Sequence, residues 1–304
     1  MSEWQPSAEA QRDIEKLVLR VIDWGELPVL RNFAEVSFDS EAPPQGAVRP
    51  DASMVFPEWV GQAFEPPQQA AELRRAAHAI TLTALNKRIE KLPEGETDGP
   101  ARLRLDEVDR AADQFVNDGL REAYWAANGD RICLRLKPEL GPELLDVPDL
   151  PAVRDGAPGP VARDAALALA SSYGEARGEW PDLAVRELLE APRDEVFETV
   201  VDGKLAAQLR DGYTPETREA LSELRGRLSA ELRTGFEQLS REPELAPGTA
   251  HARVAELMKP IDESAQTVRL AFTARSAQQS SQPAATADAK PRDNNKHRWT
   301  GFGR

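Results

Sequence analysis

Apolar side chains recur in this chain at the spacing of buried helix faces, and only a few short stretches depart from it. Ile14, Leu17, Val18, Val21 and Ile22 follow the three–four–seven–eight spacing of one stripe, predicting an amphipathic helix over Ala8 to Trp24. Ser7 stands where an N-cap belongs and Gly25 where the helix should stop. Leu73, Ala76, Ala77, Ile80, Leu82, Ala84, Leu85 and Ile89 predict a second helix over Gln68 to Leu92, opened by Pro66 and Pro67 and closed by Pro93. Between these helices Val36 and Phe38 alternate with polar residues, as the end of a strand would. Glu41 to Asp51 reads as a Pro/Gly-rich loop, Ser53 to Phe56 as a short apolar run, and Ala63 to Pro67 as irregular chain.

The stretch from Arg102 to Lys137 predicts a strand–helix–strand unit. Leu103 and Leu105 alternate with arginines, and Asp106 caps a helix running to about Ala127. Asn128-Gly129-Asp130 reads as a turn, after which Ile132, Leu134 and Leu136 share one face of a second strand. Two parallel strands joined by a helix follow from that order, with one sheet face toward water because each strand keeps a polar side.

Val147 to Pro160 holds four prolines and two glycines and marks a boundary between two parts. Beyond it the pattern is helical: Val161 to Arg177, Asp182 to Glu190, Asp194 to Leu209, then two long helices. Thr214-Pro215 supplies an N-cap and a proline at the first helical position. The first long helix carries Leu221, Leu224, Leu228, Leu232, Phe236 and Leu239. The second carries Val254, Met258, Ile261, Ala265, Val268 and Phe272, with Pro260 expected to kink or interrupt it. The short break from Pro243 to Gly248 makes the pair antiparallel neighbours. Gly226 and Gly235 each cost the first helix about 1 kcal/mol relative to alanine, so it needs packing to persist. Glu223 with Arg227 and Glu237 with Arg241 add a few tenths of a kcal/mol each at i,i+4. Burial of both stripes within one bundle is favoured over a coiled-coil surface, although self-association through 215–275 stays open.

The fold class that results is α+β and predominantly helical. An α+β module over 1–147 and a linker over 148–160 lead to a helical bundle over 161–275 and a disordered tail over 276–304. The Ser/Gln/Ala-rich stretch from Ser276 to Ala289 has the composition of a flexible tether.

Charge separates the tail from the rest. The formal net charge is −14 over 304 residues. The tail holds five Lys/Arg against two Asp, net +3, which leaves −17 on the body. A body that acidic repels nucleic acid and anionic lipid, so nucleic-acid association is confined to weak contact through the tail. The tail ends in a cluster containing Arg298, Trp299, Phe302 and Arg304. Disordered ends are depleted in aromatics, and Trp and Arg dominate binding hot spots, so these four residues are the candidate partner-docking set. Gly301 and Gly303 let the two rings enter separate pockets.

Little in the chain points to catalysis. Asp106, Asp109 and Asp113 fall at i, i+3 and i+7, one helix face able to share a divalent cation. The competing explanation is ordinary: an N-cap, a first-turn carboxylate favoured by the helix dipole, and a solvated aspartate. His78, His251 and His297 are far apart in sequence, and His78 sits among alanines as a partly buried packing residue. The single Cys133 rules out an internal disulfide and reads as a quiet, half-buried thiol. GxSxG, Walker A and GxGxxG patterns do not occur. No cofactor is expected, and no membrane span, since no apolar run approaches the required length. The N-terminus shows no signal-peptide pattern, which with the lone cysteine points to a cytoplasmic protein. Arginine far outnumbers lysine beside abundant Ala and Pro, the mark of a GC-rich bacterial genome. The leading expectation is a non-enzymatic adaptor, scaffold or accessory subunit that docks a protein partner through its C-terminal peptide. A metal-assisted helical enzyme is the alternative.

Overall fold

A computed structural model describes residues 4–24, 35–43, 46–49, 53–85, 111–136, 143, 159–246 and 248–281. Ten α-helices are found among them: α1 (Ala8–Trp24), α2 (Glu58–Gln62), α3 (Ala70–Leu85), α4 (Ala111–Leu136), α5 (Pro160–Arg177), α6 (Pro181–Glu190), α7 (Val196–Leu209), α8 (Pro215–Ala220), α9 (Ser222–Ser240) and α10 (Thr249–Ser281). Three short strands, β1 (Val36–Phe38), β2 (Ala47–Val48) and β3 (Met54–Phe56), lie between α1 and α2. The protein is therefore predominantly α with a small α+β module at its N-terminal end.

That module forms as the apolar pattern predicts at α1 and β1, and the short apolar run before Pro57 becomes β3. Ser7 caps α1, its hydroxyl accepting from the Ala10 amide at 3.2 Å. Ile14, Leu17 and Val18 are fully buried. The sheet order is β1-β3-β2. β1 runs parallel to β3, with Val36 opposite Met54 and Phe38 opposite Phe56; β2 runs antiparallel to β3, with Val48 opposite Met54. The Pro/Gly-rich loop thus contributes a strand. All three residues of β3 are buried, so the central strand is covered on both faces.

The strand expected over Arg131 to Lys137 is not formed, and α4 continues through Asn128-Gly129-Asp130 to Leu136. Two features hold the helix together there. The Asn128 amide donates back to the Tyr124 carbonyl at 2.9 Å, one turn earlier. Gly129 lies under the Trp125 ring, where a Cβ would sit 2.8 Å from the indole. Trp125, Asn128, Gly129, Ile132 and Cys133 are buried together at helical spacing, whereas Leu134 is exposed. The second strand of the expected strand–helix–strand unit is therefore replaced by the continuation of α4. The strand expected at Arg102 to Leu105 lies outside the described residues, as do the end of the second predicted helix beyond Leu85 and most of the expected linker.

A continuous hydrophobic core runs from Ala10 to Ala265. α4 packs along α5 and also against α3, α6 and α9, while α10 packs on α5, α7 and α9. The core is thus shared between the first part of the chain and the helical part after Gly159. Gly119 on α4 permits that closeness, because a Cβ there would meet the Ala162 carbonyl oxygen of α5 at 2.1 Å. Gly235 does the same for α9 and α10, where a Cβ would sit 2.4 Å from the Leu257 side chain. The helix-propensity cost of that glycine is offset by the close approach it allows.

The two long stripes are buried inside the bundle through Leu228, Leu232, Phe236 and Leu239 on α9 and Val254, Met258, Ile261 and Ala265 on α10. Thr214 caps α8 through the Thr217 amide, with Pro215 at the first helical position. Leu221 separates α8 from α9. Pro260 does not interrupt α10.

Candidate functional site

Two places gather chemically distinctive side chains. The first lies between α3 and α4. His78 Nε2 is 2.9 Å from Glu122 Oε2, and the imidazole stacks on Trp125 with ring centres 4.8 Å apart and planes at 31°. The Arg74 guanidinium stands over the same indole, 5.9 Å from its centre, and pairs with Asp130 at 2.8 Å. Glu122 is 7% exposed, and its other oxygen, Oε1, is buried without a hydrogen-bond partner. Arg121 next to it pairs with Asp118 and donates to the Leu82 carbonyl at 3.3 Å. Burial holds the Arg121 guanidinium down to about pKa 10, with Arg193 adding to the effect and Glu122 opposing it.

A histidine oriented by a carboxylate is half of a proton-transfer device. A nucleophile at hydrogen-bond reach would be the other half. Cys133 does not supply it, because eleven residues of α4 place it about 16 Å along the axis from Glu122. Cys133 is fully buried on the helix rather than half-buried on a strand. The cluster therefore ties α3 to α4, with the His78 ring held between Glu122 and Trp125.

The second place is the end of the bundle where α5 and α7 finish and α10 continues. Along α10, Val254, Met258, Ile261 and Ala265 are buried, and no residue from Gln266 to Ala274 is. Val268 is half-buried, Leu270 is 59% exposed and Phe272 39% exposed. The expectation that the stripe stays buried through Phe272 is thus corrected. The helices it packs on have ended: α5 stops at Arg177 and α7 at Leu209. Gly178, at φ 73°, turns the chain just past Ala176 and leads to Trp180, which is 78% exposed. Leu183, one turn into α6, is 49% exposed. Trp180 immediately precedes the proline that begins α6, so it lies outside that helix's buried face. A tryptophan directly before an N1 proline was the available sequence signal for this exposure.

The expected metal face is only partly within the described residues, since Asp106 and Asp109 lie outside them. Asp113 is not solvated as expected: it is 1% exposed and pairs with Arg233 Nε at 3.1 Å. Arg233 also holds Glu198 at 3.1 Å and donates to the Asp194 carbonyl at 2.8 Å, above the Phe197 ring. The carboxylate is thus engaged in joining α4, α7 and α9. Among the described residues no group of three or more His, Cys, Asp or Glu side chains could hold a metal ion. No described helix is long and apolar enough to cross a membrane. Arg298, Trp299, Phe302 and Arg304 lie outside the described residues. Ser276 to Ser281, expected to open the tether, belong instead to α10, and the rest of the expected tether lies outside the described residues.

The chain matches no protein-family model, no curated protein and no solved structure.

Proposed function

We propose that the protein is a non-enzymatic interaction protein of the bacterial cytoplasm, an adaptor, scaffold or accessory subunit of a multiprotein assembly, which docks through its C-terminal end. The observation that supports this reading is the contrast within α10. The helix runs on to Ser281, and from Gln266 to Ala274 none of its residues is buried, so that it displays Leu270 and Phe272. Helices in water persist mainly by burying an apolar face, so a helix that outlasts its packing favours a second surface to complete it. The same helix leads into the basic, aromatic tail, which would add Trp299 and Phe302 as anchors and Arg298 and Arg304 as partners for carboxylates.

The test is capture from a lysate of the native host, comparing the full chain with a chain ending at Ala265 and with Trp299→Ala. The expected result is one protein retained by the full chain, lost on truncation and reduced in Trp299→Ala. Equal retention by all three overturns the reading. Retention of another copy of the same chain reassigns the docking end to self-association.

A further inference from the structure

Beyond protein docking, a cavity of about 560 Å³ opens at this same end, with Gln208, Arg210, Arg269 and Phe272 in its lining. Its size lies within the range of small-molecule sites. Arg210 and Arg269 face it from two different elements, α7's end and α10, and among the described residues neither guanidinium has an ion pair. By contrast, Arg225 is held by Asp202, Arg177 by Glu187 and Arg253 by Glu242.

Arg210 is also the one described non-glycine residue with positive φ, at φ 48° and ψ −122°. That region favours glycine, and a side chain is kept there only when the surroundings impose it. The surroundings are visible. Tyr213 closes the 3₁₀ turn Arg210–Gly212 by donating its amide to the Arg210 carbonyl at 3.0 Å. The Phe272 ring presses on Gly212, where a Cβ would be 2.7 Å from the ring. The ordinary explanation of a cation here is the helix dipole, which favours positive charge at the C-terminus of α7. It accounts for the charge of Arg210 but not for placing that charge on a strained backbone beside a second unpaired guanidinium.

We propose that this cavity binds a small molecule bearing a phosphate group and a flat apolar moiety. Arg210 and Arg269 clamp the phosphate oxygens, the Gln208 side-chain amide donates a further hydrogen bond to them, and Phe272 supplies the apolar wall. Guanidinium forks on two elements suit a tetrahedral dianion better than a single carboxylate.

The experiment is calorimetric titration of the full chain with phenyl phosphate, inorganic phosphate and benzoate, alongside Arg269→Gln, Arg210→Gly and the exposed control Arg241→Gln. The expected result is that phenyl phosphate binds most tightly. Each cavity substitution weakens it by about tenfold or more, as loss of a charge-assisted hydrogen bond does, and Arg241→Gln leaves it unchanged. Arg210→Gly, freed of the backbone strain, also melts higher than the parent without ligand. Absence of binding, equal affinity in the cavity variants, or an equal loss in Arg241→Gln overturns the proposal. Trp299→Ala, which alters the tail and not the cavity lining, is expected to bind phenyl phosphate as the parent does, which separates failure of this site from failure of the docking reading.

Discussion

The two halves of α10 share one helix and differ in what surrounds them. From Thr249 to Ala265 the helix lies against α5, α7 and α9, and its stripe is sealed by Leu228, Leu232 and Phe236 across the interface. Lys204 reaches from α7 to Asp262 at 2.8 Å and fixes the register on the polar side. Beyond Gln266 no residue as far as Ala274 is buried, and Phe272 meets the turn at Arg210–Gly212. The apolar spacing is the same in both halves, so spacing alone does not decide burial. The length of the neighbouring helices does, because α5 and α7 stop first. A stripe that continues past its neighbours is a structural surplus in the isolated chain, and the proposed function gives it a use.

The comparison breaks most visibly at Met258. Replacing this 2%-exposed side chain with alanine should cost about 2–5 kcal/mol in denaturant unfolding. Leu270→Ala, one of the exposed positions, should stay within about 0.5 kcal/mol of the parent while weakening partner capture. Equal costs at the two positions would erase the distinction between the halves. Gly235→Ala attacks the proximal half from α9. Its new methyl meets Leu257, and the shift it forces should cost about 1–3 kcal/mol despite the better helix propensity of alanine. A stabilised Gly235→Ala would mean the two helices are not packed that closely.

A smaller effect sharpens the account of the turn on which the distal half leans. Tyr213 donates to Asp202 at 2.9 Å, and Asp202 also holds Arg218 and Arg225. Burial, helped by that hydrogen bond and the Asp202 charge, pushes the Tyr213 phenol up to about 12. A raised folded pKa means the folded state keeps its proton longer than the unfolded state does. The contribution is therefore fully present below about pH 10, the unfolded value, and is lost as pH rises through about 12. Melting measured across that window should fall less steeply for Tyr213→Phe than for the parent. Identical slopes would contradict the assignment.

Much of this fold was legible from spacing alone. α1, α5, α7, the Thr214-Pro215 start and the stripes of α9 and α10 all follow from apolar residues at helical intervals. The end of α4 was not legible, for a physical reason. Ile132, Leu134 and Leu136 alternate perfectly over seven residues, and that local period of two hides the longer helical period. The longer period runs through Asn128 and Gly129, residues that hydropathy does not count as buried. Their burial depends on a side-chain bond to the Tyr124 carbonyl and on contact with Trp125. The His78–Glu122 contact joins positions 44 apart and exists only once α3 lies on α4. Asp113 was expected in solvent because its partner Arg233 is 120 residues away. The positive φ of Arg210 carries no sequence signal, since glycine or asparagine would normally announce it. The docking residues of the tail were read from composition, and composition remains their support.

Amide hydrogen exchange along α10 in the isolated full chain tests the central claim most directly. The account predicts strong protection from Val254 to Ala265, approaching that of the global core, and weak protection beyond Gln266 that rises once a partner is captured. Protection as strong beyond Gln266 as before it, in the isolated chain, would contradict the account.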